Sequence, residues 1–454
     1  MSYFAGKRTL VVGLGDSGYA AASALVDLEA KVRVTDSSDD VARRSRAEQL
    51  RARGAEVELG GHDLEAVDAD LAILSPGVPL HAPIVAALRA AGVEVMGELE
   101  LAYRLARAEV VAVTGTNGKT TTTTLLTRML VEGGRSAVAA GNIGVPAVDA
   151  AVTAPADGVL VLEVSSFQLA TIQTFRAHVA VLLNLAEDHT DWHETFDAYR
   201  AAKARIVENQ GSSDVFVFNA EDDAAGAIAD HAPGRLVPFS IRSTPDTGIG
   251  LSDDSVLWRG RVVARRQDIA LPGTAGLEDS LAAAAAALEY GIEPDAVVRA
   301  LRDFRPLPHR LETVAEIDGV AYIDDSKATN PHATLTAVAG FEDVVLIAGG
   351  RAKGMDLSVL SAAVPPVRAV VAIGEAKSAV EEVFSDLVPV EIATTMDDAV
   401  TRAHRLAGGR GSVLLSPGCA SLDMYDNYAQ RGEEFARAVK RLTGSTTRRS
   451  GETE

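Results

Sequence analysis

Residues 113–121, Val113-Thr114-Gly115-Thr116-Asn117-Gly118-Lys119-Thr120-Thr121, combine the groups needed to hold a phosphate chain. They follow the apolar run 110–113, so a strand delivers a glycine-rich turn that opens a helix. Backbone N–H groups and the positive helix end then converge on one spot. Gly118-Lys119-Thr120 adds a cation for the outer phosphates and a hydroxyl for Mg²⁺. The general pattern has a glycine where Val113 stands, so the turn is tighter or starts at Gly115. A second turn, Gly13-Leu14-Gly15-Asp16-Ser17-Gly18, also lies between a strand and an Ala-rich helix. Asp36 follows at the end of the next strand, where a carboxylate can meet a ribose hydroxyl. Alone, this turn reads as a nucleotide or dinucleotide site, with a purely structural tight turn as the alternative. Ser75-Pro76-Gly77 closes another strand at the same crevice.

Other candidates sit at strand ends, where α/β sheets bind ligands. The apolar run 158–162 ends in Glu163, an oxygen donor suited to Mg²⁺ beside a phosphate turn; a solvated strand-end acid is the alternative. The run 177–183 ends in Asn184-Leu185-Ala186-Glu187-Asp188-His189, which leaves His189 as either a functional or a structural histidine. Lys203, in Tyr199-Arg200-Ala201-Ala202-Lys203, reads from its spacing as a solvated helical lysine. Asp324-Asp325-Ser326-Lys327-Ala328-Thr329-Asn330-Pro331 leaves a strand and enters a helix. Lys353 follows Gly349-Gly350, and Ser416-Pro417-Gly418-Cys419-Ala420-Ser421 follows the last strand.

The elements that must position these residues are parallel strands alternating with helices, which makes the fold class α/β. Three units are expected: residues 1–98, with strands near 10–12, 31–35, 57–59, 71–74 and 93–96; residues 99–307; and residues 308–444. Residues 445–454 read as a disordered tail. Within the central unit, 235–273 reads as a small antiparallel excursion and 281–288 as an apolar helix. The third unit opens with a hairpin turning at Asp318-Gly319, and its further strands are expected at 344–348, 369–373, 390–393 and 413–415. The 454 residues suffice for three cores. A net charge of −20 argues against broad nucleic-acid or anionic-membrane binding. The single cysteine, Cys419, excludes an intrachain disulfide and reads as a packing residue. With no apolar leader or membrane-length run, a cytoplasmic protein without membrane insertion is expected. Two anion sites and a third α/β unit suggest ATP used to join two substrates.

The motifs Thr114 to Thr120, Gly141-Asn142-Ile143-Gly144, Glu163-Val164-Ser165-Ser166-Phe167-Gln168-Leu169, Asn184 to His189, Tyr199 to Lys203, Pro308-His309-Arg310, Asp325 to Asn330 and Leu415 to Asp423 resemble those of the Mur ligases over nearly all of residues 8–441. The resemblance implies Rossmann-like N- and C-terminal domains around a P-loop ATPase domain, and an ADP-forming amide ligase of peptidoglycan precursor synthesis. The last two motifs imply D-glutamate as the added amino acid and UDP-N-acetylmuramoyl-L-alanine as the acceptor; the alternative is a relative using another amino acid or acceptor, such as a folylpolyglutamate synthase-like ligase. By the same resemblance, Gly115, Thr116, Asn117, Gly118, Lys119, Thr120 and Thr121 hold ATP with Asp279, Arg310, Asp325 and Lys327. Thr120 and Glu163 bind one Mg²⁺, and His189 with a carbamylated Lys203 a second; Lys119, Glu163, His189 and Lys203 are the expected catalytic group. Leu14, Asp16, Asp36, Ser37, Gly77, Asn142 and Ser165 are implied for the UDP-substrate. Thr329, Lys353, Ser421, Leu422 and Tyr428 are implied for D-glutamate. A monomer is expected, although the sequence itself carries no sign of oligomeric state. One departure stands out: where many family members have a His-Asn pair and another Asn near adenine, this chain reads Leu277-Glu278-Asp279-Ser280-Leu281-Ala282.

Overall fold

The computed structural model describes residues 3–64 and 67–449. Its strands form three sheets. The first consists of β1 (Arg8–Val12), β2 (Lys31–Asp36), β3 (Glu56–Leu59), β4 (Leu71–Leu74) and β5 (Glu94–Gly97), in the order β3-β2-β1-β4-β5. All its pairings are parallel. The order reverses between β1 and β4, and there the turn at Gly13 lies beside Ser75-Pro76-Gly77, as a doubly wound sheet requires of its ligand crevice.

The second sheet has nine strands: β6 (Glu109–Thr114), β7 (Ala137–Gly141), β8 (Val159–Glu163), β9 (Val179–Leu182), β10 (Val215–Asn219), β11 (Arg235–Ser240), β12 (Ile249–Ser252), β13 (Ser255–Trp258) and β14 (Arg261–Arg265). Their order is β14-β13-β12-β11-β10-β9-β6-β8-β7. β6 is thus flanked by β8 and β9, which brings the phosphate turn, Glu163 and Asn184 to one edge. β8 and β9 are buried along their whole length, the pattern of parallel strands covered on both faces. The antiparallel excursion is smaller than the sequence suggested. β11 and β12 continue the parallel sheet, and antiparallel pairing is confined to β12-β13-β14. β7 and β10 were not singled out by apolar pattern. The apolar helix expected at 281–288 runs from Gly273 to Glu289.

The third sheet has the order β15-β16-β20-β17-β18-β19, built from β15 (Glu312–Ile317), β16 (Val320–Asp324), β17 (Val344–Gly349), β18 (Val367–Ile373), β19 (Val390–Ile392) and β20 (Ser412–Leu415). The hairpin at Asp318-Gly319 joins β15 to β16, with both turn residues at positive φ. Two apolar clusters fill the two faces of this sheet, one including Tyr322 and Phe435, the other Leu360 and Phe384. The last helix, Tyr428–Arg449, continues through the first part of the segment expected to be a disordered tail; residues 450–454 lie outside the described residues.

The chain divides into two compact units. One contains Met1–Leu185, Asp197–Asp268 and Glu278–Arg302, so the first two sheets share it; the other contains Ala186–Phe196, Ile269–Leu277 and Asp303–Glu454. Two short excursions of the expected central domain therefore belong with the third sheet. Among the described residues no helix is long and apolar enough to cross a membrane.

Candidate active site

In the first unit the phosphate turn leaves β6 with Gly115 at φ +155° and Gly118 at φ +83°. A Cβ on Gly118 would lie 2.1 Å from Asp279 Oδ1, so only glycine can open the helix Lys119–Glu132 here. The turn is braced from β9: Asn184 O accepts from Thr116 N–H (2.9 Å), and Asn184 Oδ1 from Asn117 N–H (2.9 Å). Lys119 Nζ folds back to donate to Gly115 O (2.9 Å) and Thr116 O (2.8 Å). The ammonium is thereby parked over the turn, where phosphate oxygens can replace the carbonyls.

Glu163, at the end of β8, is buried. Its Oε1 accepts from Asn142 Nδ2 at 2.8 Å, while its Oε2 is buried with no partner among the described residues. A buried carboxylate oxygen left unpaired is costly. Beside a phosphate turn carrying the Thr120 hydroxyl, it is an oxygen donor that fits Mg²⁺. The alternative of a solvated strand-end acid does not hold.

Lys203 is likewise not the solvated lysine that its spacing suggested: it is 1% exposed. Nζ donates to Gly115 O (2.7 Å) and Thr114 Oγ1 (3.2 Å) and lies 4.9 Å from the centre of the Tyr199 ring. The helix Phe196–Ala204 turns this face onto the phosphate turn, and Tyr199 Oη bonds Thr116 Oγ1 at 2.9 Å. Helical periodicity carries no trace of a face that packs against a loop.

Asp279 is buried against the back of the turn, its Oδ1 accepting from Thr122 Oγ1 (3.2 Å). Glu278 beside it has its carboxyl raised above the usual range, chiefly by burial and then by the Glu221 charge.

The other glycine turn opens onto a cavity of about 530 Å³. Gly13, Asp16, Asp36, Ser37, Gly77 and Asn142 line it; Ile143 and Gln168, which stood in the quoted motifs without an assigned role, do too, as do Arg43 and His62, which sequence reasoning did not select. Leu14 and Ser165 do not line it. The Leu14 N–H donates to Asp36 Oδ2 (2.6 Å), and Ser165 caps the helix Ser166–Leu169 in a reciprocal pair with Gln168. Burial pushes the Asp36 carboxyl up, but the N–H groups of Leu14 and Ser38 and the Arg43 guanidinium outweigh it and leave the carboxyl below its ordinary value. Arg43 Nε approaches it at 3.0 Å, so the cavity holds a cation fixed to its wall. Arg43 lies on the next helix, Val41–Ala52, and no local motif marks it.

In the second unit, β16, β20 and β17 end side by side. Asp325 is buried, accepts from Ser416 Oγ (2.8 Å) and Leu311 N–H (3.3 Å), and is pushed up to about 7 by burial. Asp324 pairs with His309 Nδ1 at 2.7 Å. Lys327 Nζ stands 3.9 Å above the Tyr428 ring. Thr329 is half-buried one residue before Asn330, whose side chain caps the helix Pro331–Val338 and reaches Asp188 Oδ2 (3.2 Å). His189 belongs to this unit, at φ +54° with Nε2 3.7 Å from Asp188. Lys353 is half-buried at φ +53° in a loop tied to the last strand's exit by a mutual pair of backbone bonds between Arg351 and Ala420. Ser421 is buried and Leu422 exposed. Arg431, also missed by sequence reasoning, is buried and donates to Ser326 O (2.8 Å), Ser326 Oγ (2.9 Å) and Cys419 O (3.0 Å). Burial pushes the Cys419 thiol up to about 12, in keeping with a packing residue.

A parallel sheet with a braced phosphate turn, a second nucleotide-type crevice and a third α/β sheet define an ATP-dependent ligase, and the chain belongs to the Mur ligase family. Residues 7–97 match the Mur ligase MurD-like N-terminal domain, 113–287 the Mur ligase middle domain and 309–419 the Mur ligase glutamate ligase domain. Several curated relatives that match it over nearly its full length carry one enzyme name. It is 45% identical to the UDP-N-acetylmuramoylalanine--D-glutamate ligase of Frankia casuarinae, covering 97% of this chain and 95% of that one. Against the enzyme of the same name from Caldanaerobacter subterraneus subsp. tengcongensis it is 38% identical, covering 96% and 98%. In fold it resembles UDP-N-acetylmuramate-alanine ligase from Thermotoga maritima (TM-score 0.60, 20% identity, covering 97% of this chain and 100% of that one).

Proposed function

We propose that the chain joins D-glutamate to UDP-N-acetylmuramoyl-L-alanine, converting ATP to ADP and phosphate, in the assembly of peptidoglycan precursors. The observation that carries this reading is the near-full-length identity to D-glutamate ligases. In the reaction, the alanyl carboxylate attacks the γ-phosphorus, the bond to ADP breaks and an acyl phosphate forms. The D-glutamate amine then adds to the acyl carbon and loses a proton, and phosphate leaves with the carboxylate oxygen that attacked. Such chemistry is mostly positioning and charge neutralisation.

The turn Gly115 to Thr121 takes the ATP phosphates, with Lys119 exchanging its two carbonyl acceptors for phosphate oxygens. Thr120 and Glu163 suit a Mg²⁺ ion, which when bound would neutralise phosphate charge; the unpaired Glu163 Oε2 supports this. For a second ion the family resemblance assigns His189 and Lys203. Lys203 would serve as a carbamate: its neutral amine adds to CO₂, loses a proton and gains two oxygen donors. The cavity at Gly13, Asp16, Asp36, Ser37, Gly77 and Asn142 takes the uridine nucleotide, with Arg43 as its fixed cation. Asp279, Arg310, Asp325 and Lys327 are assigned to ATP by resemblance, and Thr329, Lys353, Ser421, Leu422 and Tyr428 to D-glutamate, Lys353 offering the ammonium for a carboxylate. These substrates place the reaction in the cytoplasm.

The test is ADP release by the purified chain with UDP-N-acetylmuramoyl-L-alanine, ATP and Mg²⁺. Release is expected with D-glutamate and not with L-glutamate or L-alanine. No release with D-glutamate would overturn the reading. Lys203→Ala should lose activity that a small added carboxylate partly restores, and full activity in that variant would remove Lys203 from the mechanism.

A further inference from the structure

Glu98 opens the helix Glu98–Leu105 directly after β5, where the first sheet hands over to the second. It is 1% exposed. Its Oε1 accepts from the Val148 N–H at 2.8 Å, in the first turn of the helix Ala147–Thr153, and the Gln168 side chain lies against the same carboxyl. Its Oε2 is buried with no partner among the described residues. The contacts all lead to one place. The helix Ala147–Thr153 continues from Gly141-Asn142-Ile143-Gly144, and both that segment and Gln168 line the cavity at the first glycine turn. Gln168 Oε1 accepts from Ser165 N–H (3.0 Å) and Ser165 Oγ (3.0 Å), which turns its amide N–H toward Glu98.

A buried carboxylate with one idle oxygen weakens a fold: an apolar residue of the same length would avoid the desolvation penalty. Neighbouring Glu100 shows what a purely structural carboxylate looks like here. It accepts from the N–H groups of Gln173, Thr174 and Phe175 and from Arg104, and leaves neither oxygen idle. Glu98 gives up part of that satisfaction, and the Val148 amide and Gln168 side chain that meet it belong to segments that wall the cavity.

We propose that Glu98 is a positioning residue for the UDP-substrate, holding the 141–148 segment and Gln168 in the places from which they line the nucleotide cavity. This rests on the reading of that cavity as the UDP-substrate site. Glu98 touches no substrate itself; it acts through the Val148 amide and Gln168.

The experiment is calorimetric titration of the full chain with UDP-N-acetylmuramoyl-L-alanine and, separately, with Mg-ATP. Glu98→Met, close in length but without an acceptor, should weaken UDP-substrate binding about tenfold, the effect of one lost hydrogen bond at a binding wall, and leave ATP within about twofold. Glu98→Gln, which keeps an oxygen for Val148 N–H, should stay within about threefold of the wild type. Equal UDP-substrate affinity in Glu98→Met and wild type, or equal loss for both ligands, would overturn the role. Failure of the wild type to bind the UDP-substrate would instead overturn the assignment of the cavity. A second measurement needs no variant. Amide exchange in the wild type should slow on adding the UDP-substrate both at 141–148 and at the helix start 97–100; slowing confined to 141–146 would contradict the coupling.

Discussion

The molecule uses the same local device twice in one compact unit, a strand, a glycine turn and a helix, and finishes it in two ways. At residues 13–18 Gly13 takes φ +92° and Gly18 serves contact. A Cβ on Gly18 would fall 1.9 Å from Gly13 O, so the helix packs directly on the turn, and the chemistry is left to an adjoining open cavity with Arg43 on its wall. At residues 115–121 both Gly115 and Gly118 take φ values that side chains resist, Gly118 also sits tight against Asp279, and the turn folds around its own lysine. The first turn is a wall of a site whereas the second is itself the site. On the proposed function the first is a nucleotide-sugar crevice and the second a phosphoryl-transfer centre; topology alone does not distinguish them, but the placement of the cation differs. One is held on a neighbouring helix by Asp36, the other sits in the turn and donates to its carbonyls.

That contrast predicts separable losses. Lys119→Ala should reduce ADP release by at least roughly a thousandfold, because the cation compensating the developing phosphate charge is gone, while UDP-substrate affinity stays within about twofold. Comparable loss of both would erase the distinction. Gly18→Ala should act in reverse. Forcing the Cβ against Gly13 O costs about 1–3 kcal/mol of stability and should weaken the UDP-substrate roughly tenfold or more, with ATP binding unchanged; calorimetry on the folded variant decides it. Asp279→Asn, at the back of the second turn, should shift the ATP KM by roughly threefold with kcat unchanged, since a hydrogen-bonded carboxylate becomes an amide. An unaltered ATP KM would exclude Asp279 from nucleotide binding.

The smallest effect concerns the support of the first turn's cavity. Burial, chiefly, raises the Glu98 carboxyl to about 7, with Asp149 adding to it. The unfolded chain ionises this group at an ordinary carboxylate pKa, about 4.3, while the folded chain keeps its proton until about 7. Its contribution to stability is therefore present at low pH and lost as pH rises through that window. Glu98→Gln should raise the melting temperature by a few degrees at pH 8 and change it little at pH 5. An equal shift at both values would contradict the titration.

Both glycine turns, the strand ends carrying Glu163 and Asp325, and the hairpin at Asp318-Gly319 were legible because each is a local pattern with a local physical cause. Lys203 was misread because helical spacing says which residues share a face, not what covers it. Arg43 and Arg431 left no mark, since a helical arginine gives no sign of the partner its guanidinium will meet, Asp36 for the first and Ser326 for the second; Gln168 stood inside a quoted motif without a role of its own. Glu98 was not singled out in the sequence; its meaning lies in the Val148 amide, fifty residues on. The small share of antiparallel sheet was overestimated because turn-rich texture at 235–273 does not reveal that β11 and β12 pair parallel with what precedes them.

The central claim is that both turns serve one reaction, in which the substrate held beside the first receives the phosphoryl group from the nucleotide held by the second. UDP-N-acetylmuramoyl-L-alanine labelled with oxygen-18 in its alanyl carboxylate, turned over with ATP and D-glutamate, tests it directly. One labelled oxygen should appear in the released phosphate for each amide formed; ADP release with unlabelled phosphate would contradict the account.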